Sequence, residues 1–131
     1  VKDSSYNLMG NLNIKNFSIL PGSELKLLSG LKKDCSGIIT ATCNVTAKLA
    51  RKVFDDFEQN IDQTVNDKLC EVRKAFDQFN LISGLHSFLS LTDKQFLNIL
   101  PTCSLLSKQD EKTLIDKLKD LNFLEKDFKA A

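Results

Sequence analysis

The order of apolar and polar segments predicts an α/β fold whose last part is entirely helical. In the first 45 residues, strand-like and helix-like segments alternate through short connections, which is typical of repeated βα units. The strand-like segments lack a regular apolar and polar alternation, which indicates strands buried on both faces, as in a parallel sheet. After Asn44 no strand pattern appears, and apolar residues recur at helical spacing.

Two strands and one helix are predicted in the first part of the chain, besides a strand end at Lys2. The strand candidates are Phe17–Leu20 and Ser36–Cys43. Leucines at helical spacing between them predict a helix over Glu24–Lys33, whose first carboxylate meets the positive end of the helix dipole. A weaker helical pattern, interrupted by a glycine, covers Tyr6–Ile14.

The second part of the chain is predicted to form a succession of amphipathic helices. Apolar residues lie on one face of Thr46–Glu58, and from 61 to 79 they recur in steps of three and four. Leu81–Ser90 predicts a buried helix or an irregular hairpin. Ser107 has the residue types of a capping box, in which a hydroxyl binds an amide of the first turn, and it precedes a last helix over Lys108–Leu121.

Charge and cysteine content exclude several classes of protein. With 18 Lys and Arg against 17 Asp and Glu, the net charge is +1, so the composition does not indicate a nucleic-acid-binding protein. No apolar run is long enough for a membrane span. The single histidine, His86, lies far from all four cysteines, none of which form a CxxC pair, so we expect no metal site and a structural role for His86. Nothing else indicates secretion, so we expect reduced thiols and a cytoplasmic protein.

Three parallel strands form an open sheet with unpaired edges. The strand at Lys2 has one residue before it, so we expect most of the missing sheet to precede Val1. On this interpretation residues 1–58 hold three βα units and residues 59–131 form a helical extension.

Lys2 is the candidate nucleophile, because reactive groups of parallel α/β folds lie at the carboxyl ends of strands. Desolvation disfavours the ammonium form of a lysine and frees its amine to attack a carbonyl carbon as a Schiff base. Taken alone, however, the pair Lys2 and Asp3 fits an ordinary surface lysine better than a nucleophile. Strand alternation places Asp3 on the opposite face from Lys2, so we expect Asp3 to be structural.

Four segments in order add a second argument: Val1–Ser5, Leu20–Glu24, Cys35–Val45 and Leu100–Ser107. Together they resemble the second half of the dihydrodipicolinate synthase and N-acetylneuraminate lyase family. The resemblance implies strands six to eight of a TIM (β/α)8 barrel, followed by a C-terminal helical extension. It also implies that the N-terminal half of the barrel, with the catalytic tyrosine and the groups that bind the pyruvate carboxylate, is missing from this chain.

The resemblance also implies roles for five residues. Lys2 matches the lysine of strand six that binds pyruvate as a Schiff base. Gly22 matches a pocket-lining glycine after strand seven, and Ser23 and Glu24 match the pair that faces the distal part of the substrate. Serine departs from the acidic or amidic residue common there in synthases, and Glu24 fits a helix cap equally well. Ile39 matches a residue of strand eight whose carbonyl lies near the lysine nitrogen.

The implied function is a class I, Schiff-base-forming aldolase or lyase that acts on pyruvate and needs no metal or other cofactor. Dihydrodipicolinate synthase, which condenses pyruvate with aspartate semialdehyde in lysine biosynthesis, fits best. A 2-keto-3-deoxy sugar acid aldolase and N-acetylneuraminate lyase are alternatives, the latter less favoured by Val1–Ser5 and Leu20–Glu24. The expected partners are pyruvate or another 2-keto acid, an aldehyde, and further copies of the chain in a homotetramer or dimer. A non-catalytic oligomerisation module formed by the helices after Thr46 is the alternative of another class.

Overall fold

The computed structural model describes residues 1–123 and divides the chain after Cys70 into two units. The predicted boundary between residues 58 and 59 stays a prediction, and residues 124–131 of the predicted extension lie outside the described residues. Each unit has its own core of fully buried side chains. The largest of them are Leu69, Glu24 and Val53 in the first unit and Phe76, Phe123, Leu114 and Leu118 in the second.

Two short parallel strands position the start of the chain in the first unit. Strand β1 (Lys2–Asp3) pairs with strand β2 (Leu20–Pro21), with Lys2 opposite Leu20. The pairing continues at both ends, because the Leu20 amide donates to the Val1 carbonyl at 2.9 Å and the Gly22 amide donates to the Asp3 carbonyl at 3.1 Å. The predicted parallel geometry is therefore confirmed for this pair of strands.

A third extended segment runs beside β2 without forming a regular strand. The Ser36 amide donates to the Ile19 carbonyl at 3.0 Å, and the Ile39 amide donates to the Pro21 carbonyl at 3.0 Å. Three steps along this segment thus oppose two steps along β2, which leaves one extra residue, as in a β-bulge. Gly37 lies inside the bulge with φ +138°, a conformation that glycine adopts without strain. The prediction of a regular strand over Ser36–Cys43 is therefore wrong. Residues 36–40 form no regular strand, residues 41 and 42 form a turn, and Cys43 already belongs to the next helix.

The predicted helix over Glu24–Lys33 is present as two shorter pieces. A 3-10 turn covers Glu24–Lys26, and helix α1 covers Leu27–Leu31. The Ser23 hydroxyl caps the 3-10 turn by accepting a hydrogen bond from the Leu25 amide at 3.3 Å.

No helix forms over Tyr6–Ile14, so that prediction is wrong. Tyr6 has φ 60° and Gly10 has φ +79°, both in the left-handed region, which interrupts a right-handed helix. The Leu8 amide donates to the Asp3 carboxylate at 2.9 Å, so a side chain replaces the helical partner of that amide.

Helix α2 (Cys43–Glu58) is the longest element of the first unit and confirms the predicted helix. Its buried face is formed mainly by Val45, Leu49, Ala50 and Val53. The helix ends where Asn60 adopts φ 54° and the Ile61 amide donates to the Asp56 carbonyl at 2.8 Å. This left-handed turn ends α2. The helix predicted over residues 61–79 is shorter than predicted: residues 61–65 are not helical, and α3 covers Asn66–Phe76.

The second unit contains helix α4 (Leu81–Leu89), a 3-10 turn (Lys94–Leu97) and helix α5 (Lys108–Asp120). These confirm a helix rather than a hairpin after residue 80 and the predicted last helix. The Phe76 and Phe88 rings meet edge to face with centroids 5.7 Å apart. Among the described residues, no helix combines the length and the apolar character required to cross a bilayer.

Candidate active site

Lys2 lies on β1, opposite Leu20 of β2. Its side chain is exposed, and that of Asp3 is buried, as strand alternation predicts. Gly22 follows β2 directly, and a Cβ atom at this position would lie 3.4 Å from Cε of Lys2 and 3.1 Å from the Ser4 hydroxyl. Glycine therefore lets the lysine side chain and the Ser4 loop pass close to the backbone after β2.

Ile39 lies on the other side of β2 from Lys2. Its amide bonds to the Pro21 carbonyl, one residue before Gly22, and its side chain is 49% exposed. The structure thus brings Lys2, Gly22 and Ile39 onto three neighbouring segments that run in the same direction. The pyruvate-binding roles predicted for these three residues stay predictions.

Ser23 and Glu24 are both buried, and each binds other groups of the protein. The Ser23 hydroxyl caps the 3-10 turn. The Glu24 carboxylate is fully buried and accepts three hydroxyl hydrogen bonds. Its Oε2 accepts from Thr40 and Thr42, each at 3.0 Å, and its Oε1 accepts from Thr46 at 2.9 Å. We call Glu24 and these three threonines the hydroxyl cluster.

Sequence reasoning missed the three threonines of the hydroxyl cluster. A signal was present, because Thr42 and Thr46 are four residues apart at the start of α2 and so lie on one helical face. Their carboxylate partner lies 18 and 22 positions earlier in the chain, which no local pattern indicates.

Asp3 anchors the turn that follows β1. Its carboxylate accepts from the Ser5 hydroxyl at 2.9 Å, the Ser5 amide at 3.2 Å and the Leu8 amide at 2.9 Å. Burial acts to raise the pKa of Asp3, but the hydrogen bonds from Ser5 and the Leu8 amide outweigh it and hold the pKa below its ordinary value. These contacts support the structural role predicted for Asp3.

His86 and the four cysteines were the other candidate functional residues considered from the sequence. His86 is half-buried, and its Nδ1–H donates to the Phe96 carbonyl at 2.9 Å. All four cysteines are thiols, of which Cys35 is buried. In residues 1–123, no three His, Cys, Asp or Glu side chains are arranged to hold a metal ion.

Similarity to known proteins is found in the structure and not in the sequence. No protein-family model matches the chain, and no curated protein sequence matches it significantly. Among solved structures, dihydrodipicolinate synthase from Agrobacterium tumefaciens str. C58 superposes with a TM-score of 0.70 at 19% identity over 92% of this chain. Dihydrodipicolinate synthase from Thermotoga maritima superposes with a TM-score of 0.66 at 21% identity over 83% of this chain.

A third similar structure is YagE, a prophage protein of E. coli K12 that belongs to the dihydrodipicolinic acid synthase family and was solved in complex with pyruvate. It superposes with a TM-score of 0.64 at 15% identity over 82% of this chain. The chain spans less than half of each of these structures, namely 42%, 38% and 38% of their lengths. At these low identities the likeness establishes the fold: the chain folds like part of a dihydrodipicolinate synthase family protein, the family that its sequence motifs resemble.

Proposed function

We propose that this protein is a pyruvate-dependent aldolase or lyase in which Lys2 forms a Schiff base with the substrate. The observation that carries the proposal is the position of Lys2 on a parallel strand, with Gly22 close to its side chain, in a fold shared with dihydrodipicolinate synthase structures. The pyruvate bound to YagE supports a 2-keto acid as the ligand. On this proposal β1, β2 and the bulged segment are strands six to eight of a (β/α)8 barrel.

The chemistry requires an uncharged lysine amine and a keto carbon. Nζ of Lys2 attacks the keto carbon, and the resulting carbinolamine takes up one proton and loses its hydroxyl group as water to give an iminium ion. The positively charged iminium withdraws electrons from the adjacent carbon, so that this carbon can lose a proton and attack an aldehyde. Lys2 is exposed in this chain, so we propose that other strands of the complete barrel desolvate it and supply the proton relay and the carboxylate-binding groups.

The finer assignment is a dihydrodipicolinate synthase that condenses pyruvate with aspartate semialdehyde, working as a homo-oligomer. A 2-keto-3-deoxy sugar acid aldolase or N-acetylneuraminate lyase would use the same lysine with a different aldehyde. In this proposal Gly22 and Ile39 contribute backbone groups to the pyruvate pocket. Ser23 and Glu24 lie where the distal part of the substrate would approach.

Trapping of the Schiff base tests the proposal directly. The full protein is incubated with pyruvate, reduced with borohydride and analysed by peptide mass spectrometry. We expect one reduced adduct on the peptide that contains Lys2, and its loss in Lys2→Ala. The matched control Lys15→Ala removes an exposed loop lysine and should keep the adduct. Absence of an adduct on Lys2 with pyruvate and with longer 2-keto acids would refute the proposal.

A second candidate function is a helical interaction module. The observation that favours it is a set of exposed leucines in the second unit: Leu91, Leu97 and Leu100 are 51%, 49% and 82% exposed. If these leucines form a subunit interface, replacing all three by serine should lower the molecular mass measured by sedimentation equilibrium. An unchanged mass would argue against this interface.

A further inference from the structure

The hydroxyl cluster joins the two chain segments that line the proposed lysine pocket. Glu24 lies two residues after Gly22, and Thr40 directly follows Ile39. The hydrogen bonds from Thr40 and Thr42 to Glu24 therefore tie the chain after β2 to the chain after the bulged segment. Thr46 lies on α2 and links this helix to the cluster: its hydroxyl lies 2.9 Å from Oε1 of Glu24 and 3.0 Å from the Thr42 carbonyl, and these two acceptors share its one proton.

Both oxygens of the Glu24 carboxylate are already engaged by the protein. Oε2 accepts two hydroxyl hydrogen bonds and Oε1 accepts one, and the side chain has no exposed surface. Because the side chain is fully buried, a substrate hydroxyl could reach this carboxylate only if the groups that cover it moved, which would leave buried polar groups unsatisfied. The Glu24 carboxylate therefore links two chain segments and is not open to a ligand. We call this hydrogen-bonded link the clamp.

We infer that Glu24 is a positioning residue that holds the backbones of Gly22 and Ile39 beside Lys2, and that it does not contact the substrate. The inference rests on the proposed function for the role of Lys2. It adds that recognition of the aldehyde's distal part falls to groups other than the Glu24 carboxylate. Thr46 acts with Glu24 in this role, although it lies on a helix and away from the strand ends.

Four variants distinguish a positioning role of Glu24 from a direct contact between Glu24 and the substrate. Glu24→Gln keeps the shape of the side chain and removes its charge. Thr46→Val removes the donor hydroxyl with little change in volume, and Thr46→Ser keeps the hydroxyl. The matched control Glu58→Gln makes the same change at an exposed glutamate at the end of α2.

Two properties of the full protein are measured for each variant: amide hydrogen exchange and borohydride trapping of pyruvate. Amide hydrogen exchange at Gly22 and Ile39 reports whether the two backbones are held, because these amides donate to the Asp3 and Pro21 carbonyls. We expect exchange at both amides to be at least about tenfold faster in Glu24→Gln and Thr46→Val, and within about twofold of the parent in Thr46→Ser and Glu58→Gln. Borohydride trapping of pyruvate on Lys2 should fall in the same two variants and be retained in the other two.

The possible outcomes distinguish the inference from the proposed function. If Glu24→Gln abolishes trapping and Thr46→Val changes neither measurement, Glu24 contacts substrate and the inference is wrong. Unchanged exchange at Gly22 and Ile39 in Glu24→Gln and Thr46→Val also overturns it, whatever the trapping shows. If the parent protein forms no adduct, the proposed function fails, and the pattern of exchange alone still supports or refutes the clamp.

Discussion

At the scale of single residues, β1 presents two neighbouring side chains to opposite surroundings. Lys2 is exposed, and Asp3 is buried in a turn whose amide and hydroxyl groups bind its carboxylate. The alternation of a strand is a local property, so the sequence was sufficient to predict this division of roles. The particular partners of Asp3 depend on the turn that follows, and sequence reasoning predicted a helix there.

The pH dependence of stability tests the role of Asp3. Because its pKa in the folded protein is below the ordinary value of 3.8, the carboxylate stabilises the fold above about pH 4. This contribution is lost as the pH falls through the lowered pKa. Asp3→Asn should therefore reduce the free energy of unfolding at pH 7, and the difference from the parent should shrink below pH 3.8.

Urea unfolding at pH 7 and at pH 3 measures this difference. The control Asp62→Asn changes an exposed loop carboxylate and should have little effect at either pH. A difference between Asp3→Asn and the parent that is equal at both pH values would contradict the proposed role of the Asp3 charge.

The reactivity of Cys35 provides a second prediction at this scale. Burial raises the pKa of the Cys35 thiol, and the nearby charges of Asp3 and Asp34 raise it further. Because the thiolate is the reactive form, Cys35 should react with iodoacetamide at pH 8 at least about tenfold more slowly than the partly exposed Cys103. Peptide mass spectrometry measures both rates in one sample. Equal rates in the folded protein would show that Cys35 is accessible.

At the scale of elements, several helical segments start at a side-chain cap, although α1 and α2 do not. Ser23, Asn80 and Ser107 each accept a hydrogen bond from an amide in the first turn of the helix that follows. The residue types at positions 23 and 107 indicated helix starts from the sequence. Helix ends were predicted less well, because the left-handed turn at Asn60 is stabilised by hydrogen bonds that periodicity does not reveal.

The N-terminal cap of α4 should make a measurable contribution to the free energy of unfolding. The Asn80 side-chain oxygen accepts from the Ser83 amide and the Ser83 hydroxyl, both at 3.1 Å. Asn80→Ala should lower the free energy of unfolding by about 1 kcal/mol. Asn13→Ala, in an exposed loop, should change it by less than about 0.5 kcal/mol. Urea denaturation compares the two variants, and equal stability of both would show that the cap is energetically unimportant.

At the scale of the whole molecule, each of the two units contains fully buried side chains. Phe76 in the second unit is fully buried and packs edge to face on Phe88. Phe76→Ala should cost about 3 to 5 kcal/mol, because the lost ring leaves a cavity in a close-packed core. Phe17→Ala, at a position that is 46% exposed in the first unit, should cost less than about 1.5 kcal/mol.

Denaturation followed by circular dichroism measures both variants. If Phe76→Ala is no less stable than Phe17→Ala, the core of the second unit does not contribute as its burial indicates.

The parallel direction of the strands, the main helices and the resemblance that first pointed to Lys2 could all be predicted from the sequence, although β2 shares only Leu20 with the predicted strand Phe17–Leu20. These features depend on the local spacing of apolar residues and on short motifs, both of which are present in the sequence itself. Three features could not be predicted: residues 36–39 form a bulged segment, the chain after β1 turns back on Asp3, and Glu24 binds three threonines. These features depend on hydrogen bonds between residues far apart in sequence or on backbone angles of the left-handed region, and neither leaves a periodic signal.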